Sequence, residues 1–503
     1  MKANGIIDSK KMLLNSAEIF SLPIFDANHY HTLHLSEFIN PELARRYRVV
    51  PLAKENSTLH LGIADPTDQA TLDAILFHTG LRIHPVLMTE DKLSELIENY
   101  SKLSTHPHLE LNILNELPLD DEPLAVKENT VNYEEPLIKF VDNIIQHALQ
   151  KNASDIHIEP YENYCRIRYR QDGILYQVAE IPHNFANRLV TRLKIMARLD
   201  ISERRLPQDG RFQLNQNSSQ VIDIRINTCP TVSGEKVALR ILDANKVSLA
   251  INSLGLTDAQ EKIFREKISQ PQGMILVTGP TGSGKTVTLY SALRHLNTAE
   301  KNISTVEDPV EIQLPGINQV NIHPKIGLHF ATVLRTFLRQ DPDVLMVGEI
   351  RDTETAEIAI QAAETGHLVL STLHTNSAIE TLTRLHAMGI APHHFSNSIS
   401  LIISQRLARK LCHHCKQPDA INSEYFTAYK ARGCEHCLYG YYGRIGIYEF
   451  LPVTTSLIQY FITNTPKETL YKKLKFQTLR QAGLEKIKQG ITSFTEIKRI
   501  ISE

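Results

Sequence analysis

The clearest chemistry in the 503-residue chain lies in one run: Gly279, Pro280, Thr281, Gly282, Ser283, Gly284, Lys285, Thr286 and Val287. Glycines and small residues at this spacing let successive backbone N–H groups close around phosphate oxygens, and a helix N-terminus adds a favourable dipole. The Lys285 ammonium is expected to reach the β- and γ-phosphates, and the Thr286 hydroxyl to ligate Mg²⁺. The motif requires a strand before it and a helix after it. Met274 to Thr278 is an apolar β-run, and Leu289, Leu293 and Leu296 fall on one helical face. ATP with Mg²⁺ is therefore the expected ligand.

Hydrolysis needs carboxylates as well as a cradle. Ile303 to Val306 reads as a strand running into Glu307, Asp308 and Glu311; Val344 to Val347 runs into Gly348, Glu349 and Asp352. Gly348 stands where an acid on the Mg²⁺ side is common, so Glu349 takes that role here, through a water. A third strand, His367 to Thr372, leads into His374, at the carboxyl strand end where such sheets bind ligands.

A second constellation is Cys412-x-x-Cys415, eighteen residues, then Cys434-x-x-Cys437. Four thiolates at this spacing suit a closed, tetrahedral structural Zn²⁺. His413, His414 and His436 beside them are alternative ligands. Cys165 and Cys229 fall in strand patterns and are expected in the core.

These residues need elements to hold them. Residues 1–100 read as a small α/β module with strands Arg48 to Leu52 and Leu59 to Ile63 and a helix Gln69 to His78. Residues 101–134 form an acidic, flexible linker: eight acids face two lysines over 101–135. Residues 135–245 make an α+β domain, with a helix from Glu135, another from Phe185 to Leu199, and alternating strands Cys165 to Arg170 and Val221 to Ile226. From 246 to 503 strands alternate with helices, the pattern of an α/β domain with a largely parallel sheet, and the cysteines mark a zinc insert at about 408–440.

Composition bounds the partners. The chain has 54 Lys+Arg against 56 Asp+Glu, a formal charge of -2, which argues against a nucleic-acid partner. No run approaches the roughly 20 apolar residues of a membrane helix. Asp8, Ser9, Lys10 and Lys11 interrupt the N-terminal segment, which lacks the features of a cleavable leader. A cytoplasmic location is expected, with the membrane reached only indirectly, through partners.

Together the segments VTGPTGSGKTVTLY, STVEDPVEI, DPDVLMVGEIRD and TGHLVLSTLHTN resemble the motifs of the type II secretion and type IV pilus ATPases, a hexameric family. The resemblance extends to SDIHIEPYE (154–162), ISERRLPQDGRF (201–212) and PTVSGEKVALRIL (230–242). It implies a RecA-like P-loop ATPase domain with a zinc insert, preceded by a PAS-like domain. It implies Glu311 as the water-activating acid, Glu349 as the metal-side acid, and His374 as the link from nucleotide state to neighbouring elements. Arg211 and Arg225 match arginines that close on the phosphates; Arg335 and Arg339 match arginines at the nucleotide and subunit boundary. The implied partners are five further copies in a homohexamer and an inner-membrane platform protein, with the N-terminal module docking a membrane-associated partner.

The tetracysteine insert resembles the assembly and secretion branches rather than retraction motors. PQGMILVTGPTGSGKTVTLY (271–290), LPGINQVN (314–321) and SLIISQRLARKLC (400–412) resemble the pilus-extension branch more than the secretion branch. The N-terminal module lacks the Arg-Leu-Gly motif associated with cyclic dinucleotides in relatives. Rival readings are a nucleic-acid translocase, against which the charge balance speaks, and a silent nucleotide-binding scaffold, against which Lys285, Thr286, Glu311 and Glu349 speak.

Overall fold

The computed structural model describes residues 9–20, 22–26, 39, 41–55, 58–103, 134–217, 220–242, 248–419, 426–463 and 476–501. The acidic linker expected over 101–134 lies almost wholly outside the described residues. The chain divides into two compact units, Met1–His108 and Leu109–Glu503.

In the first unit, strands β1 (Val50–Glu55), β2 (Thr58–Ile63) and β3 (Arg82–Leu87) form one sheet. β1 and β2 pair antiparallel, whereas β2 and β3 pair parallel. A parallel pair needs a crossover, and the helix Gln69–Thr79 supplies it. Asp68 caps its start by accepting from the Thr71 amide at 3.1 Å, and Gly80 ends it at φ 64°. The strands expected at Arg48 to Leu52 and Leu59 to Ile63 correspond to β1 and β2; β3, paired parallel to β2, is not among the expected strands.

The second unit opens with the helix Glu134–Gln150 and six strands. These are β4 (Asp155–Pro160), β5 (Tyr164–Gln171), β6 (Ile174–Pro182), β7 (Gln208–Asn217), β8 (Gln220–Thr231) and β9 (Gly234–Leu242). They pair antiparallel throughout in the order β6-β5-β4-β9-β8-β7. Alternation sends Ile156, Ile158, Ile167, Tyr169 and Ile224 into a core shared with Phe140, Val141 and Ile144 of the first helix and Leu189 and Val190 of the helix His183–Met196. The opposite face carries Glu159, Arg166, Arg168 and Arg225. Cys165 is buried as expected, but Cys229 is exposed, which corrects the expectation of a core residue. The same alternation explains it: Ile224, Ile226 and Thr228 point inward, so Cys229 points out.

The rest of the second unit is built on a seven-stranded sheet. Its strands are β10 (Gly273–Thr278), β11 (Ile303–Glu307), β12 (Asn318–Asn321), β13 (Val344–Val347), β14 (Leu368–Leu373), β15 (Ile399–Leu411) and β18 (Tyr441–Pro452). A separate two-stranded pair, β16 (Gln417–Pro418) and β17 (Tyr429–Lys430), lies in the cysteine-bearing insert. The order is β12-β11-β13-β14-β10-β15-β18, parallel except for β18, which runs antiparallel to β15. β10, β11, β13 and β14 are buried along their whole length, which is why they read as unbroken apolar runs. β14 sits between β10 and β13, so the His374 segment emerges between the phosphate loop and the Glu349 segment. None of the described helices is long and apolar enough to cross a membrane.

Candidate nucleotide site

A cleft of about 890 Å³ opens at the carboxyl ends of these parallel strands. The loop after β10 forms its floor. Gly279, Gly282 and Gly284 have φ of 147°, 79° and 87°, values that favour glycine. A side chain on Gly279 would also meet the Gln405 carbonyl at 2.5 Å, so the loop is both left-handed and tightly seated on β15. The helix Lys285–Leu296 starts immediately after it.

Lys285 is 8% exposed, and its Nζ donates to the carbonyls of Gly279 at 2.8 Å and Pro280 at 3.2 Å. Burial pulls its pKa down to about 8, against the pull of Glu349. A buried ammonium satisfied only by neutral carbonyls would gain from a phosphate oxygen. The Ser283 hydroxyl is buried with no hydrogen-bond partner in the loop. Thr281, Thr286 and Val287 also line the cleft, while Pro280 is exposed beside it. The donor set thus fits a triphosphate, and Thr286 and Glu349 line the same cleft.

The acids come from two neighbouring strand ends. Glu307 ends β11 at 3% exposure and is held by Thr305 at 2.6 Å, Gln319 at 3.2 Å and a close contact with the Tyr290 hydroxyl. Burial pushes its pKa up, so it is the structural acid of the group. Glu311 stands four residues on and lines the cleft, its carboxylate 3.3 Å from Arg225 Nη1. Arg225 also donates to the Val310 carbonyl at 2.8 Å, so β8 reaches the segment after β11 at the expected acid.

Glu349 follows β13 and contacts Arg351 closely, while His374 Nε2 lies 3.4 Å from its other oxygen. Arg351 also approaches Asp308 at 3.6 Å, tying the two acidic strand ends together. Gly348 now has a physical reason: a Cβ there would lie 3.3 Å from the Glu307 Cα and from the Val306 carbonyl.

The structure thus brings Lys285, Thr286, Glu311, Glu349, His374 and the loop residues to one cleft. Arg225 joins them through Glu311. Arg211 pairs with Arg225 across β7 and β8 but is exposed and does not line the cleft. Arg335 pairs with Glu354 at 2.7 Å on the surface, and Arg339 is likewise exposed; neither lines the cleft. Sequence reasoning missed Tyr290, Arg351, Gln405 and Arg406. Arg351 was within reach, two residues from Glu349; the others meet the site only through long-range packing.

At the insert, Cys412, Cys415, Cys434 and Cys437 place their sulfurs within 4.8 Å of one another. Three of the separations are 3.8, 3.7 and 3.6 Å. A tetrahedron with metal–sulfur bonds of about 2.3 Å has edges of about 3.8 Å, so the four thiols fit a zinc ion. The Gly433 and Cys434 amides donate to Cys415 and Cys437 Sγ at 3.4 and 3.3 Å.

Residues 130–499 match the family described as Type II/IV secretion system protein, and residues 20–106 match the MshEN domain. The type IV pilus assembly ATPase PilB of Acinetobacter baylyi is 44% identical over 97% of this chain and 89% of its own. The type II secretion system ATPase E of Vibrio cholerae is 44% identical over 78% of this chain and 80% of its own. Among solved structures, the pilus retraction motor PilT with bound ADP is 28% identical, with a TM-score of 0.50 over 72% of this chain and 96% of that one.

Proposed function

Because the chain belongs to the type II/IV secretion system protein family, we propose that it is the ATPase that powers type IV pilus assembly. It is an ATP-hydrolysing enzyme that uses Mg²⁺. The observation that carries the reading is the convergence of Lys285, Glu311, Glu349 and His374 on one cleft. Reach along the chain separates the two branches of the family. The pilus-assembly relative aligns over 97% of the chain, the secretion relative over 78% at the same identity.

In the proposed mechanism the loop amides and Lys285 bind the β- and γ-phosphates. Glu311 orients or deprotonates the attacking water. Thr286 and Glu349 would hold Mg²⁺, which neutralises charge developing on the phosphoryl oxygens. Arg225, paired with Glu311, and its cross-strand neighbour Arg211 would turn toward the γ-phosphate as the antiparallel domain closes, and His374 would relay the state of Glu349 to the segment after β14. Arg335 and Arg339 would face the next subunit of a homohexamer.

The wider reading places this ring at the cytoplasmic side of the inner membrane, turning or lifting a platform protein so that pilin is added. The N-terminal unit would dock a membrane-associated partner, and the four cysteines would hold a structural zinc. Deletion in the native bacterium, complemented by wild type or Lys285→Ala, tests the assignment. Loss of surface pili with normal secretion, rescued by wild type alone, is the expected result; loss of secretion with intact pili would move the chain to the secretion branch. One zinc per chain by elemental analysis, lost in Cys412→Ser, tests the metal.

A further inference from the structure

β15 passes directly beneath the phosphate loop, and two of its side chains bind it to the rest of the site. Gln405 Oε1 accepts from the Thr288 hydroxyl at 2.8 Å, three residues past Lys285. Its Nε2 sits 2.8 Å from where a Gly284 side chain would begin, and its carbonyl 2.5 Å from the same point on Gly279. Arg406 is 7% exposed. Its Nη1 donates to the Gln405 carbonyl at 3.0 Å and lies 3.2 Å from the Gly279 position. Its Nη2 donates to the Asn376 carbonyl at 2.9 Å, with the Asn376 side-chain oxygen at 3.4 Å. Asn376 is two residues from His374.

One rigid, planar cation therefore links the Gln405 carbonyl, which packs against Gly279 of the phosphate loop, to the segment that carries His374. Glu449 and Glu380 supply the opposing charge that a buried guanidinium needs, against the burial that disfavours it. The Asn376 amide in turn donates to Glu380 at 3.1 Å, so the segment is held from both sides. The loop has little slack against this support, because its glycines already approach β15 as closely as a Cβ would forbid. Gly279, whose carbonyl accepts from Lys285 at 2.8 Å, leaves no room for a Cβ beside the Gln405 carbonyl and the Arg406 guanidinium, so a shift of the loop toward β15 would press on both.

We propose that Arg406, seated on Gln405, is a positioning residue that couples the phosphate loop to the His374 segment and so sets turnover rather than nucleotide affinity. The inference deepens the ATPase reading above and rests on it. Lysine cannot replace a fork that donates in two directions, so Arg406→Lys keeps the charge and loses the span.

The test uses the full chain with four readouts: kcat, KM, the Kd of a fluorescent ATP analogue, and the melting temperature. Losing one charge-assisted hydrogen bond to the His374 segment corresponds to about a tenfold fall in kcat. Arg406→Lys is expected to lower kcat by about that factor while Kd stays within about twofold. Thr288→Val, which removes the hydroxyl that donates to Gln405 at 2.8 Å and reaches the Gly284 carbonyl at 3.5 Å, should lower kcat about threefold at constant Kd; it decides the matter if Arg406→Lys fails to fold. Unchanged kcat in a folded variant overturns the proposal, as does a parallel loss of affinity, turnover and melting temperature. A wild-type chain without any ATP hydrolysis would bring down the ATPase reading itself, a result distinguishable because no variant is needed to see it.

Discussion

Within five residues β15 serves two clusters of charge built on opposite plans. At Gln405 and Arg406 it supports the nucleotide cleft; at Arg409 it joins the C-terminal helices. In the cleft Glu311 is only loosely committed, 34% exposed and 3.3 Å from a single arginine, and His374 is 3.4 Å from Glu349. At the other end Glu496 is fully buried and accepts from the Arg409 amide at 3.0 Å, the Arg409 guanidinium at 3.0 and 2.7 Å, and Arg499 at 2.9 and 2.6 Å. Arg409 also lies over the Tyr441 ring at 4.0 Å. A half-exposed pair contributes little to stability and changes partners cheaply, whereas a fully hydrogen-bonded buried one is strongly destabilising to break. The Glu311 pair is therefore cheap to break, and the Glu496 cluster is not.

Removing function without stability breaks the comparison most sharply. Lys285→Ala is expected to cut ATP hydrolysis by about 10³-fold, and Glu311→Gln by a comparable factor. Both should leave the melting temperature near that of wild type, because neither group is fully committed within the chain. Phosphate release and thermal melting on the same preparations check this. A melting temperature that fell with Glu311→Gln would mean that the Arg225 pair is structural.

The converse experiment is Glu496→Gln, expected to cost about 3 kcal/mol of stability and to leave nucleotide affinity intact. Burial alone would raise the Glu496 pKa, but the bonds from Arg499 and Arg409 overcome it and hold it at about 2. A folded pKa below the unfolded value, about 4.3 for glutamate, gives stability that is fully present above pH 4.3 and is lost as pH falls toward 2. Wild type should therefore lose this contribution over that window while Glu496→Gln does not, so acid titrations of the two should converge. Persistence of the full difference at pH 2 would show that the ion pairs are not its source.

Much of this was legible before the structure, and for definite reasons. The phosphate loop, both acidic strand ends and the His374 segment are local: each is a buried parallel strand with its candidate residue within a few positions of its end, so an apolar run and the next few positions suffice. The cysteine pairs are local in the same way. Cys229 misled because strand membership does not settle which face a residue takes; that needs the register, and Thr228 holds the inner position. Tyr290, which joins Glu307 to the Glu311 amide, sits on a helix face that reads as ordinary core. Arg406 lies more than a hundred residues from the loop it supports, in a segment whose pattern announces only a strand. Glu496 belongs to a helix of seven residues with no signal beyond its Ser493 cap.

The smallest expected effect concerns the position where the sequence departs from the usual acid. Gly348→Asp would seem to restore a missing ligand on the Mg²⁺ side. The structure argues the reverse. A Cβ at 348 must push the Glu307 backbone by a few tenths of an ångström, since both the Glu307 Cα and the Val306 carbonyl stand 3.3 Å away. The new carboxylate would also face Glu307, whose pKa burial has already raised, and like charges at close range disfavour ionisation of both. The variant should therefore lose about 1 kcal/mol of stability and hydrolyse ATP more slowly at every Mg²⁺ concentration. Gly348→Ala separates the two causes, because it crowds the strand end without adding charge. If Gly348→Asp instead lowered the Mg²⁺ requirement, the strand end would have room for a second metal-side acid, and Glu349 would no longer need to hold that role by itself.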